Sequence, residues 1–364
     1  MNVGAGVMVS TAPTDAAAPR RLTWFSAPIS TAVAIVLSLN PLGVVLVLGW
    51  LMRVMRRETA ITSIRELRRV SRSEALTLLA SRPAWAALGP WTGWLRASQP
   101  KYSRLGRCFG GLAETVKLAA VSALALALAT LPFTALLLLS WWAGWENSFN
   151  KGYEQAWAGP GLALLGILAA LFVLQHLPMA TAHLAAERRF AAMFDLQTVR
   201  ALVRAERWRN LRLALITVIA ALPIAGAQIL PAFIETWRPG FAELPAEIIE
   251  AVATQWHVLP TIYLGLALIL IRRAQSRCYA RAALSLASAR TTFCNDIAAA
   301  FDPAGARPAP PKRGRLGGFI AGLLLTAIWA AFIAQLYMAQ FANHAWWNWL
   351  NHPLIGLPWI YRPL

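Results

Sequence analysis

Six stretches of the chain contain no Asp, Glu, Lys or Arg: about 28–52, 118–142, 159–184, 213–234, 253–271 and 316–338. Each approaches or exceeds the roughly 20 apolar residues that carry an α-helix across the ~30 Å hydrocarbon layer of a bilayer. Shorter charged segments separate them. The pattern predicts an all-α, polytopic integral membrane helical bundle of about six spans, with amphipathic helices at the cytoplasmic interface. The same boundaries divide the chain. A disordered tail is expected at 1–27, a first membrane segment at 28–52 and a basic cytoplasmic interfacial region at 53–117. A four-span core at 118–271 follows and includes a cytoplasmic helix at 185–212. A basic cytoplasmic helix and Pro-rich linker take 272–315, the last span 316–338, and a Trp-rich outer interfacial tail 339–364.

The first membrane segment has two readings. As one helix it is ~37 Å long, enough to cross. Asn40-Pro41-Leu42-Gly43 is also a turn signal, and splitting there leaves two half-helices of ~16 Å each. The split form is a re-entrant hairpin that keeps Arg20, Arg21 and Arg53 on one side, whereas the full span separates them. The full span is the working expectation, with the hairpin as its alternative.

Composition agrees with the membrane reading. The 364 residues are 58% hydrophobic and 14% charged, with mean hydropathy +0.51, against roughly 25% charged in soluble domains. The net charge of +18 raises nucleic acid as a partner, but the distribution argues against it. Of 34 Lys and Arg, 29 lie in 53–117, 185–212 and 272–315, which the positive-inside rule makes cytoplasmic. Tryptophans such as Trp50, Trp141, Trp142, Trp157, Trp208, Trp237 and Trp256 mark the span ends, where an indole prefers the headgroup level. The expected location is the bacterial inner membrane, with anionic headgroups on the cytoplasmic side as partners and another membrane protein as a further one.

Within 53–117, Ile61, Ile64, Leu67 and Val70 form an apolar stripe flanked by Arg65, Arg68, Arg69 and Arg72. Ser73 is expected to cap a second helix that ends before Pro83. Such a segment lies flat on headgroups, packs on the ends of the spans, or does both. The spans carry Leu-Pro steps at Pro132, Pro178, Pro223 and Pro260, positions expected to kink their helices.

Catalytic chemistry is hard to assemble. No span contains a charged residue, where transporters and pumps usually place one. The polar residues at depth are Asn40, Gln175, His176, His183, Gln228 and Gln335. His176 and His183 are seven apart, hence on one helical face, and no facing histidine completes a metal or haem site. Cys108, Cys278 and Cys294 fit no zinc spacing. Glu243, Glu247 and Glu250 read as the solvated face of a short helix. No phosphate-binding loop, dinucleotide fingerprint or nucleophile elbow occurs. No cofactor and no enzymatic activity are expected.

One stretch is more specific. His183-Leu-Ala-Ala-Glu187-Arg188-Arg189-Phe190 leads to Met193-Phe194-Asp195 and on to Val199-Arg200, before a span containing Ala221-Leu222-Pro223. Together with Leu48-Gly49-Trp50-Leu51-Met52-Arg53, Gly110-Gly111-Leu112 and the tail from His344 to Pro358, it resembles a family of bacterial and archaeal multi-span membrane proteins known as a domain of unknown function. Gln197 stands where that pattern commonly has arginine. The resemblance implies a shared architecture and supplies no activity.

The resulting expectation is a non-enzymatic membrane protein that organises lipids or partner proteins. Arg65, Arg68, Arg69, Arg72, Arg188, Arg189 and Arg200 are the candidate contacts to anionic lipid or a partner. The alternative is a transporter or flippase for an apolar or lipid-like substrate, with Gln175, His176, His183 and Gln228 as an intramembrane polar site.

Overall fold

The structure, a computed structural model, describes residues 31–81, 104–143, 157–302, 314–343 and 352–357. The tail at 1–27, the Trp-rich stretch from Pro83 to Arg96, most of the Pro-rich linker and tail positions 344–351 lie outside the described residues. Among the described residues there is no strand, and ten α-helices follow one another. They are α1 (Pro41–Arg68), α2 (Arg72–Ala80), α3 (Arg104–Trp141), α4 (Ala158–Glu187), α5 (Leu196–Ala205), α6 (Arg207–Ile229), α7 (Ile234–Trp237), α8 (Ala246–Leu286), α9 (Thr292–Phe301) and α10 (Arg315–Asn343). Five segments are long and apolar enough to cross a membrane: Phe109–Trp141, Ala158–Glu187, Arg207–Trp237, Ala246–Leu286 and Arg315–Ala339.

The first membrane segment is not a sixth helix of that kind. Helix at 31–37 stops at a turn, and Asn40 then caps α1 by accepting the Leu42 N–H at 2.9 Å, with Pro41 as the first helical residue. Ala34 and Leu37 pack into one buried cluster with Val47, Trp50 and Leu51. In a continuous helix Ala34 and Trp50 would stand ~24 Å apart, so the chain doubles back at Asn40. This is the hairpin alternative, and the full-span expectation is corrected accordingly.

The long segments form a ring in the order α1, α3, α4, α10, α6, α8, with α4 also touching α1 and α8 across it. Pro132, Pro178, Pro223 and Pro260 each sit inside a continuous helix. Side-chain hydroxyls donate to carbonyls near two of these prolines: Thr261 Oγ1 to His257 O at 2.8 Å and Tyr263 Oη to Ala220 O at 3.1 Å. The outer faces expose Leu128 and Leu131 on α3, Leu164 and Leu168 on α4, Ile219 and Leu222 on α6, and Leu266 and Leu270 on α8. Such apolar belts are a liability in water and ordinary against lipid.

At one end of the ring the arginines gather, and there the helices outrun the apolar layer. α1 is apolar to Met52 and then continues into this basic end with Ile61, Ile64 and Leu67 still buried, along with Thr59 and Ser63. Residues 53–68 are therefore the axis of a helical layer, and of the two readings of the stripe the packed one holds. The helix over 185–212 is also divided: a 3-10 turn at Phe190–Phe194 precedes α5, and α6 starts at Arg207. Residues 272–286 are not a separate helix but the continuation of α8, with α9 after it. The tail dips inward as well: His352 and Leu354 are buried, and the His352 ring lies 4.5 Å from that of Phe332.

Candidate functional site

The three motif stretches converge on the basic end. Gly49 on α1 lies so close to α3 that a Cβ there would overlap the Thr115 carbonyl oxygen. One turn later Arg53 Nη1 donates to Thr115 Oγ1 at 2.9 Å and to Gly111 O at 3.3 Å. The early motif and the Gly110-Gly111 motif are thus two halves of one contact. In the third motif, Glu187 accepts the Phe293 N–H at 3.1 Å and the Thr292 hydroxyl. It supplies the N-terminal cap of α9 that the local residue Thr291 does not. His183 Nδ1 meets the Tyr279 hydroxyl at 3.0 Å. Asp195 caps α5 through the Thr198 N–H at 3.2 Å and pairs with Arg290 at 2.8 Å. The motif therefore fastens α4 and α5 to α8 and α9.

Three of the arginines expected at headgroups also have carboxylate partners within the protein. Arg72 forks onto both Glu58 oxygens at 2.6 and 2.7 Å, and Arg277 adds a third bond at 2.8 Å. Burial pushes the Glu58 carboxyl up, but these hydrogen bonds and charges outweigh it and hold it below the ordinary value. Arg188 pairs with Glu114, and Arg189 is 3.9 Å from Glu187. Ser71, not Ser73, caps α2, in a reciprocal box with Glu74. Arg65 is half-buried, and Arg68 and Arg69 are exposed.

Arg200 has a different setting. With Arg204 and Arg207 it lines a half-open cavity of about 330 Å³ between α4, α5, α6 and α10. Among the described residues none of these three guanidinium groups forms an ion pair. Arg200 sits 5.3 Å from the centre of the Phe172 ring, and Arg207 rests against the bare α-carbon of Gly318, where a Cβ would overlap its Nη1. Gln175 and His176 line the same cavity, as do Gly322 and Leu325 of α10. Gln175 Nε2 donates to Thr326 Oγ1 at 3.0 Å, and Asn210 Nδ2 donates to Gln175 O at 3.5 Å, so α4, α6 and α10 are tied together there. His176 Nδ1 donates to the Phe172 carbonyl at 2.7 Å, which leaves Nε2 as its remaining polar ring atom.

The expected intramembrane polar site is not one site. Gln175 and His176 belong to the arginine cavity, and His183 is buried beyond it against Tyr279. Gln228 is buried at the far end of α6, ~27 Å along that helix from the Asn210 that touches Gln175. Among the described residues Gln228 does not line the cavity of Gln175 and His176, because 18 residues of α6 separate it from the Asn210 that touches Gln175. Arg204 and Arg207 were not among the expected contacts. The four-residue spacing of Arg204 from Arg200 is a readable signal because it places both on one side of α5, whereas Arg207 opens α6 beyond the break at Glu206.

Residues 32–234, more than half of the chain, match the family model described as Protein of unknown function (DUF4013). No curated protein and no solved structure matches the chain.

Proposed function

The chain belongs to the DUF4013 family, and from that premise we propose that it is a non-enzymatic inner-membrane protein whose basic, cytoplasmic end gathers anionic lipid. The observation that carries this reading is the excess of guanidinium over carboxylate on exposed parts of that end. Arg68, Arg69, Arg200 and Arg204 are exposed and unmatched by any ion pair among the described residues, whereas Glu58, Glu66, Glu187 and Asp195 are each engaged with an arginine. At the surface of an anionic leaflet each such charge is worth about 1 kcal/mol. The positive-inside rule assigns this end to the cytoplasm.

The test is the lipid composition around the full chain, excised from its native membrane in polymer-bounded discs without detergent. Anionic lipid should be enriched severalfold in the discs over the bulk membrane. A disc composition equal to that of the bulk membrane would sink the reading.

A further inference from the structure

We propose that the cavity between α4, α5, α6 and α10 is a stoichiometric site for a single phospholipid whose headgroup ends in a phosphomonoester. This rests on the anionic-lipid reading above and narrows it to one place and one ligand class.

The lining changes character from wall to wall. Arg200, Arg204 and Arg207 line it from α5 and α6, and the α10 wall is Gly318, Ala321, Gly322 and Leu325. A ligand that satisfies both walls has an anionic head and an apolar tail. The outer surface of α10 continues this apolar wall, with Phe319 and Leu323 exposed, so an acyl chain can leave the cavity without crossing polar ground. A half-open volume of about 330 Å³ leaves room for a phosphate and its glycerol linkage.

The charge count selects the kind of phosphate. Three arginines share the cavity with no carboxylate paired to any of them among the described residues; Glu206, next to Arg207 in the chain, is already bound to Arg209 at 2.7 Å. A terminal phosphate offers three oxygens and up to two negative charges to guanidinium forks, whereas a phosphodiester offers two oxygens and one charge. The amide of Gln175 adds a neutral polar group beside them. The Gly318 notch seats Arg207 against the helix backbone, which fixes one guanidinium in place before a ligand arrives.

The experiment is native mass spectrometry of the full chain in mild detergent, titrated with dioleoyl phosphatidic acid, the matching phosphatidylglycerol and phosphatidylcholine, and free glycerol 3-phosphate. One phosphatidic acid per chain should be retained at least tenfold more tightly than either other lipid or glycerol 3-phosphate. R204Q/R207Q should weaken it at least tenfold. G318A, which keeps every charge and favours helix, should weaken it severalfold by evicting the Arg207 guanidinium. R238Q, just past α7 and outside the cavity, should leave it unchanged. Equal binding of phosphatidylglycerol, equal binding of glycerol 3-phosphate, or retention unaltered in R204Q/R207Q and G318A would each overturn the site. If the native discs remain enriched in anionic lipid when this binding fails, the site falls and the broader reading stands. If enrichment is absent too, both fall.

Discussion

Glu187, at the end of α4, reaches across 106 residues of sequence to accept the backbone N–H of Phe293 at 3.1 Å. Its side chain is only 2% exposed, and Arg189 is the one cation paired with it among the described residues. A buried carboxylate that serves as another helix's cap leaves two donors stranded when removed. Glu187→Ala should cost about 1–3 kcal/mol, while Glu187→Gln, which keeps an acceptor oxygen, should cost less. Thermal unfolding in detergent gives the order, and limited proteolysis should show cleavage near α9 first in the alanine variant. Equal stability of the two variants would show that the cap is not what Glu187 contributes.

The contact between α1 and α3 depends on the absence of a side chain at Gly49. An added methyl would meet the Thr115 carbonyl oxygen, which is backbone and cannot rotate away. Gly49→Ala should therefore force the helices apart and cost about 1–3 kcal/mol, loosening the Arg53 bonds to Gly111 and Thr115 with it. Gly226, in the last turn of α6, has nothing within 4 Å of the same atom. Gly226→Ala is the matched control and should lose no stability in the same thermal assay.

Glu58 makes the basic end sensitive to acid. Its folded carboxyl titrates below the ordinary value of 4.5 because the bonds from Arg72 and Arg277 outweigh its burial. A depressed carboxyl contributes stability that is complete above the unfolded value and is lost as pH falls through the folded one. The loss should begin near pH 5 and deepen below pH 4. Melting temperatures of the native chain and of Glu58→Gln, measured from pH 7 to pH 3.5, should differ most at pH 7 and converge at the acid end. A gap that stays constant with pH would mean that the ion pairs contribute nothing that protonation removes.

What the sequence made legible was what depends on neighbours along the chain. The five long apolar helices, the apolar stripe at Ile61, Ile64 and Leu67, and the turn at Asn40-Pro41 all follow from local period, length and capping. What stayed hidden depends on partners far away. The stripe in 53–68 read equally well as lying on headgroups and as packed on the ends of the spans. The matching charges, Arg277 for Glu58 and Arg281 for Glu66, stand 219 and 215 residues later, so a segment neutralised by packing carries the same letters as one bathed in headgroups. The arginine cavity was half visible for the same reason. Arg200 was identified from its own helix, while the opposite wall comes from α10, where Gly318, 111 positions after Arg207, lies against that guanidinium.

The doubled-back first segment makes a topological prediction that the full span contradicts. From Pro41 to Met52 α1 measures ~18 Å, about half the hydrocarbon layer, so the turn at Ser38 to Asn40 belongs near mid-bilayer and both arms return to the basic side. Leu42 at the tip is 82% exposed on the protein's own surface, which in this placement faces lipid and not water. In a background with Cys108, Cys278 and Cys294 replaced by serine, Leu42→Cys should resist a membrane-impermeant maleimide from either side of sealed vesicles. Arg68→Cys should react from one side only, and a reporter fused ahead of residue 1 should be active on that same side. A reporter on the opposite side, with Leu42→Cys still protected, would mean that the segment crosses the membrane and that the packing of Ala34 against Trp50 is not the arrangement in lipid.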